Sequence, residues 1–268
     1  MEIKLGLASA VSVESTIIGK RWDTELSKDE SNPYPLAPKD LVRLGLVDEE
    51  VYKSENEKSG SIRNIVMEKE LIRISSTPEF ASIKNPEIKI FGVGLGRDLG
   101  WITKAVALGF CVRAYDASPV ACNNFNSLTK DLPAGKAEVI MEDIESQWES
   151  IELDDANTLA YFASQFIQVQ RRVKMRRIMC RLATLLIEGP LVPSLYLVHP
   201  FNQDNCSPRE WMGTLLPRVE WGQTIAYSED ELFCPTGKLR KQLEVELLGV
   251  HTYFHHVYSF LKVHPIKG

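Results

Sequence analysis

From residue 86 onward the apolar positions of this chain switch between two periods, and the switching lays out an α/β protein. Short β-branched and aromatic runs read as strands over 88–93, 111–115, 137–141, 158–162 and 194–199. Between them, apolar residues recur at helical spacing over 98–108, 119–129 and 170–187. Pro119 suits a first helical turn, and Gly189-Pro190 stops the last of these helices. The stretch 251–263 alternates aromatic and β-branched residues, as one long strand or a terminal hairpin. Strands alternating with helices imply a mostly parallel sheet covered on both faces.

Residues 1–80 follow a different pattern. Ser27 to Pro38 packs three prolines into a polar run, which is loop or extended structure. Helical spacing returns over 40–46 and 62–74, the second carrying Ile62, Ile65, Val66, Leu71 and Ile72 among charges. A charged connector, 49–60, separates them. The division expected is a mainly helical N-terminal cap, 1–80, and an α/β domain, 81–268.

The chemistry concentrates where the first strand ends. Ile88 to Gly96 reads I-K-I-F-G-V-G-L-G, an apolar run entering three glycines at every second position. A strand feeding a helix through such a turn needs backbone without Cβ atoms, so that a ligand can sit directly on it. The spacing is not that of a dinucleotide fingerprint, which would want glycine where Arg97 stands. In an open parallel sheet, ligands bind beyond the carboxyl ends of the strands. The second strand ends at Asp116, whose carboxylate can accept both hydroxyls of a ribose. The third ends at Glu142-Asp143, where a carboxylate can accept an exocyclic adenine amine.

These residues resemble the class I S-adenosylmethionine-dependent methyltransferases. The likeness rests on G-V-G-L-G (Gly92, Gly94, Gly96), on A-Y-D-A-S (Ala114 to Ser118) and on M-E-D-I (Met141 to Ile144), and covers roughly residues 86–200. It implies a seven-stranded sheet whose last strand is antiparallel, formed by the 251–263 region. It implies S-adenosylmethionine as cofactor, held by Gly92, Val93, Gly94, Gly96, Asp116, Ala117, Ser118, Glu142, Asp143 and Ile144. One departure stands out. The family usually carries an acidic residue at the end of strand 1, whereas Phe91 precedes Gly92 here. Contact with the amino-acid end of the cofactor is then missing or supplied elsewhere, with Arg97 and Asp98 as candidates.

Composition narrows the acceptor. A formal net charge of −5 argues against a dedicated nucleic-acid binder. No apolar stretch reaches the roughly 18–20 residues that span a bilayer, and Met1 to Lys4 shows no secretory n-region. The five cysteines are scattered without C-x-x-C spacing, pointing to a reduced, cytoplasmic compartment with neither structural zinc nor disulfides. The basic helix 170–187 is read as a solvated face, with RNA binding as its alternative. The amino-methyltransferase signature, Asp or Asn followed by Pro-Pro-aromatic, is absent after strand 4, which weakens adenine or amide nitrogen as the acceptor.

The expected function is methylation of a small-molecule acceptor in a capped pocket, with a homodimer left open. Two alternatives stand beside it: transfer or cyclisation of the aminocarboxypropyl arm with release of methylthioadenosine, and a non-catalytic cofactor-binding or scaffold protein. Candidate catalytic residues are His199, as a general base at the end of strand 5, and Ser164 and Gln165, which can orient an acceptor by hydrogen bonds. His255 joins them: four positions from His251, it shares one face of a predicted strand. No third ligand accompanies that pair, so no metal is expected.

Overall fold

The computed structural model describes residues 63–94, 96, 99–142, 156–164, 166, 172–201, 242–253 and 256–266. Its strands are β1 (Glu87–Phe91), β2 (Cys111–Asp116), β3 (Ala137–Met141), β4 (Thr158–Ser164), β5 (Ser194–Phe201), β6 (Leu243–Tyr253) and β7 (His256–Pro265). Its helices are α1 (residues 63–75), α2 (Pro78–Ser82), α3 (Ile102–Ala107), α4 (Pro119–Thr129) and α5 (Arg172–Glu188).

The strands form one seven-stranded sheet in the order β3-β2-β1-β4-β5-β7-β6. The first five run parallel, and β7 is antiparallel to both β5 and β6. From β1 the chain builds outward to β2 and β3, then returns to the other side of β1 with β4. That reversal opens a crevice beyond the carboxyl ends of β1 and β4, the place where such sheets take ligands.

All five residues of β1 are buried, including the charged Glu87 and Lys89, whose carboxylate and ammonium lie 3.6 Å apart. One face packs Phe91, Tyr161, Leu195 and Leu197 against Met179, Leu182 and Leu186 of α5. The other packs Ile88, Ile90, Phe162 and Tyr196 against Met67 and Leu71 of α1 and Ile102 of α3. Each fully buried side chain of this size contributes about 1.5–3 kcal/mol.

Of the two readings open for 251–263, the hairpin is the one found: Tyr253 of β6 pairs with His256 of β7. Of the histidine pair expected to share a strand face, His251 stands on β6 and His255 lies outside the described residues. The helix after the glycine turn begins at Ile102, not at 98. Gly100 passes so close to α1 that a Cβ there would come within 2.8 Å of the Asn64 Nδ2. The Trp101 N–H, whose own residue makes no side-chain cap, donates to Asn64 Oδ1 at 3.2 Å. The helix start is thus fixed by a tertiary contact.

Helix α1 is fastened to the sheet by one carboxylate. Glu70 Oε2 accepts hydrogen bonds from the Tyr196 hydroxyl at 2.7 Å and from Arg73 Nη2 at 2.9 Å, and lies 3.4 Å from Lys262 Nζ. Burial alone would raise the Glu70 carboxyl. The hydrogen bonds from Arg73 and Tyr196, with the charges of Arg73 and Lys262, outweigh it and hold the group below its ordinary value of 4.5. A carboxyl lowered by folding stabilises the fold fully above its unfolded pKa, and that contribution fades as pH falls through the lowered native value. Glu70→Gln is therefore expected to cost about 1.5–3 kcal/mol near neutral pH. The gap from wild type should narrow in urea unfolding repeated below pH 4.5; a gap indifferent to pH would refute this account.

Candidate cofactor site

The turn after β1 is built from three left-handed glycines. Gly92, Gly94 and Gly96 have φ of 79°, 55° and 73°, a region that side-chain-bearing residues rarely enter. Their surroundings differ. A Cβ at Gly92 would meet the Phe166 side chain at 3.2 Å, and one at Gly96 would reach Leu128 at 4.0 Å. A Cβ at Gly94 would meet nothing within 4 Å. The backbone is therefore bare toward open space at Gly94.

Asp116, the last residue of β2, organises this turn. Its Oδ2 accepts from the Val93 N–H at 2.7 Å and the Gly94 N–H at 3.2 Å. Its Oδ1 accepts from the Ser118 N–H at 2.9 Å. Successive backbone N–H groups converging on one anion form a nest, here filled by the protein's own carboxylate. Main-chain bonds stitch the strand ends together around it. The Gly92 N–H donates to Tyr115 O, and the Glu142 N–H to Asp116 O, each at 3.0 Å. Beyond Ala117, the buried Ser118 is the N-cap of α4, accepting from the Ala121 N–H at 3.1 Å, with Pro119 in the first turn. From α4, Asn124 Nδ2 donates back to Gly94 O at 3.1 Å.

Gly92, Val93, Gly94, Gly96, Asp116, Ala117, Ser118 and Glu142 thus gather at the carboxyl ends of β1, β2 and β3, while Asp143 and Ile144 lie outside the described residues. Ser164 ends β4, half-buried, paired in register with Val198, and His199 is the next residue of β5. Ser164 thus ends its strand, whereas β5 runs on past His199 to Phe201, two residues beyond the strand end expected there. Gln165 and His255 lie outside the described residues, as do Arg97 and Asp98.

The end of β1 offers no acid. Ile90 and Phe91 are both buried in the core, Phe91 stacked on Tyr161 with ring centroids 5.9 Å apart and flanked by Tyr115 and Phe166. Burial is the main reason the Tyr115 phenol is pushed up to about 12, against the lowering effect of Arg113.

Three contributors escape sequence reasoning. Asn64, Asn124 and Phe166 touch the turn or its exit across large separations in the chain. Asn124 leaves no trace, since the same helix also carries the exposed polar residues Asn123, Asn126 and Ser127.

No family model matches the chain, and no curated protein matches it in sequence. Solved structures do. The magnesium protoporphyrin IX methyltransferase ChlM from Synechocystis PCC 6803, solved with bound SAH, superimposes with a TM-score of 0.56 at 11% identity, covering 94% of this chain and 100% of that one. The S-adenosylmethionine-dependent methyltransferase SibL, in its apo form, superimposes with a TM-score of 0.51 at 12% identity, over 84% of this chain and 62% of that one. No helix among the described residues is long and apolar enough to cross a membrane. In sheet order, in its one antiparallel insertion and in its superposition on these enzymes, the chain has the class I S-adenosylmethionine-dependent methyltransferase fold.

Proposed function

We propose that this protein is an S-adenosylmethionine-dependent transferase that methylates a small-molecule acceptor. The observation that carries the reading is the Asp116 carboxylate seated on the amides of Val93 and Gly94. In a dinucleotide site such amides receive a phosphate. Here a phosphate would have to displace an anion or lie against it, so the cradle favours a nucleoside without phosphates. A ligand bearing positive charge is favoured further.

The residues present suit S-adenosylmethionine. Asp116 would take the ribose, Gly94 would give its bare face to the nucleoside, and Glu142 stands at the strand end where an adenine amine would be read. When bound, the cofactor supplies an electrophilic methyl group on a sulfonium. The chain's own task is then alignment and, where the nucleophile needs it, proton removal. We assign the base role to His199, whose ordinary pKa suits it, and an orienting role to Ser164 at the end of the neighbouring strand. Gln165 and His255 complete the proposed acceptor side, and a small polar molecule is the partner this set would take.

The test is calorimetry of the purified protein with S-adenosylhomocysteine, NAD and ATP in turn. Binding of the first with at least about tenfold preference over both phosphates is expected from a carboxylate-filled nest. Equal or tighter binding of NAD would overturn the assignment. The apolar end of β1 favours a second reading, in which the aminocarboxypropyl arm reacts instead. The by-product separates the two: S-adenosylhomocysteine from methyl transfer, methylthioadenosine from arm transfer.

A further inference from the structure

Gly94 is held from two sides by side chains that are distant in sequence. Its N–H donates to Asp116 Oδ2 at 3.2 Å, and its carbonyl accepts from Asn124 Nδ2 at 3.1 Å. Only its α-carbon faces open space. The peptides on both flanks of the residue therefore have fixed directions, and the surface left over is the one that a ligand would touch. A left-handed residue is a position where peptide planes turn easily when nothing holds them, glycine above all. Asp116 restrains the peptide before Gly94, and Asn124 restrains the one after it. The contact requires the amide nitrogen of Asn124, because Gly94 offers an acceptor.

We propose that Asn124 is a positioning residue for nucleoside binding: it acts through the Gly94 carbonyl, holding the glycine turn in its ligand-ready shape. The proposal rests on reading this turn as the cofactor cradle. Asn124 is half-buried on α4, whose core-facing side is formed by Ala121, Phe125 and Thr129. The helix does not need the Asn124 amide to pack. Its loss leaves a turn carbonyl to water and a turn able to sample other shapes, which lowers the fraction of protein competent to bind.

The experiment compares Asn124→Ala and Asn124→Asp in the full chain, by calorimetric titration with S-adenosylhomocysteine and by thermal unfolding. Aspartate has the same shape but cannot donate at neutral pH, and it adds a negative charge near Asp116. Asn124→Ala is expected to weaken binding about 3- to 10-fold, the scale of one lost hydrogen bond, with Tm within about 2 °C of wild type. Asn124→Asp should weaken it at least as much. Wild-type affinity in either variant overturns the proposal, because shape alone would then suffice. A large fall in Tm in both variants overturns it too, by making the residue a fold determinant. If the wild-type protein itself fails to bind S-adenosylhomocysteine, the cofactor reading fails and this proposal falls with it.

Discussion

Asp116→Ala should abolish measurable binding of S-adenosylhomocysteine, a loss of at least about 100-fold. It is the largest single effect expected from any substitution in this protein. Three backbone N–H groups, of Val93, Gly94 and Ser118, lose their acceptor at once. Hydrogen bonds to a carboxylate are worth roughly 1.5–3 kcal/mol each, although water can replace part of this at a half-buried site. The turn then loses its shape in addition to the ribose contact. Asp116→Asn separates these contributions. An amide retains one acceptor oxygen, which can serve Val93 and Gly94, but it turns an NH₂ toward the Ser118 N–H, donor against donor. The expected order of affinity is wild type, then Asn, then Ala, with stability following the same order by about 1–2 kcal/mol per step. Titration and urea unfolding on the same preparations check both. Unchanged affinity in Asp116→Ala would remove the cofactor site from this turn altogether.

Asp116 also explains why this part of the site can be read from sequence. A carboxylate at the end of the strand after a glycine turn is a local pattern: its partners Val93 and Gly94 lie with it in one strand-helix-strand unit, and Ser118 follows two residues later. The strand ends at 116 and 141 and the whole of the helix 119–129 follow from β-branched runs and from Pro119, since these elements are set by short-range preferences. The start of α3 does not follow in this way. Its first turn is decided by Asn64, which lies 37 residues earlier in the chain, and no periodicity encodes that contact. The terminal hairpin is only one of two readings open to the sequence, for a related reason: 251–263 carries neither glycine nor proline, so no residue in it marks a turn. Phe91 illustrates the opposite case. Its identity alone suggested a gap in the site, whereas its burial among Tyr115, Tyr161 and Phe166 shows what the position does: it anchors the base of the turn.

The glycines themselves give the sharpest separation of fold from function. Both Gly92 and Gly94 are left-handed, so alanine at either carries a similar backbone cost of about 1–2 kcal/mol. Their neighbourhoods then divide them. At Gly92 the new methyl meets Phe166 at 3.2 Å from its Cδ2 and 3.3 Å from its Cβ, and Phe166 is itself packed on Phe91, so it cannot yield freely. Gly92→Ala should therefore cost more than the backbone alone, by about a further 1–3 kcal/mol of overpacking. Part of that excess should return in the double variant Gly92→Ala with Phe166→Ala, as a coupling energy in urea unfolding. At Gly94 the methyl meets nothing, so the fold bears only the backbone cost. The methyl instead occupies the space where the nucleoside is to sit, and Gly94→Ala should lose at least about tenfold in S-adenosylhomocysteine affinity while remaining the more stable of the two. The two substitutions are chemically identical, two residues apart on one turn, and should differ in which measurement they move. If Gly94→Ala bound as wild type does, the open face at this residue would not be where the ligand lies.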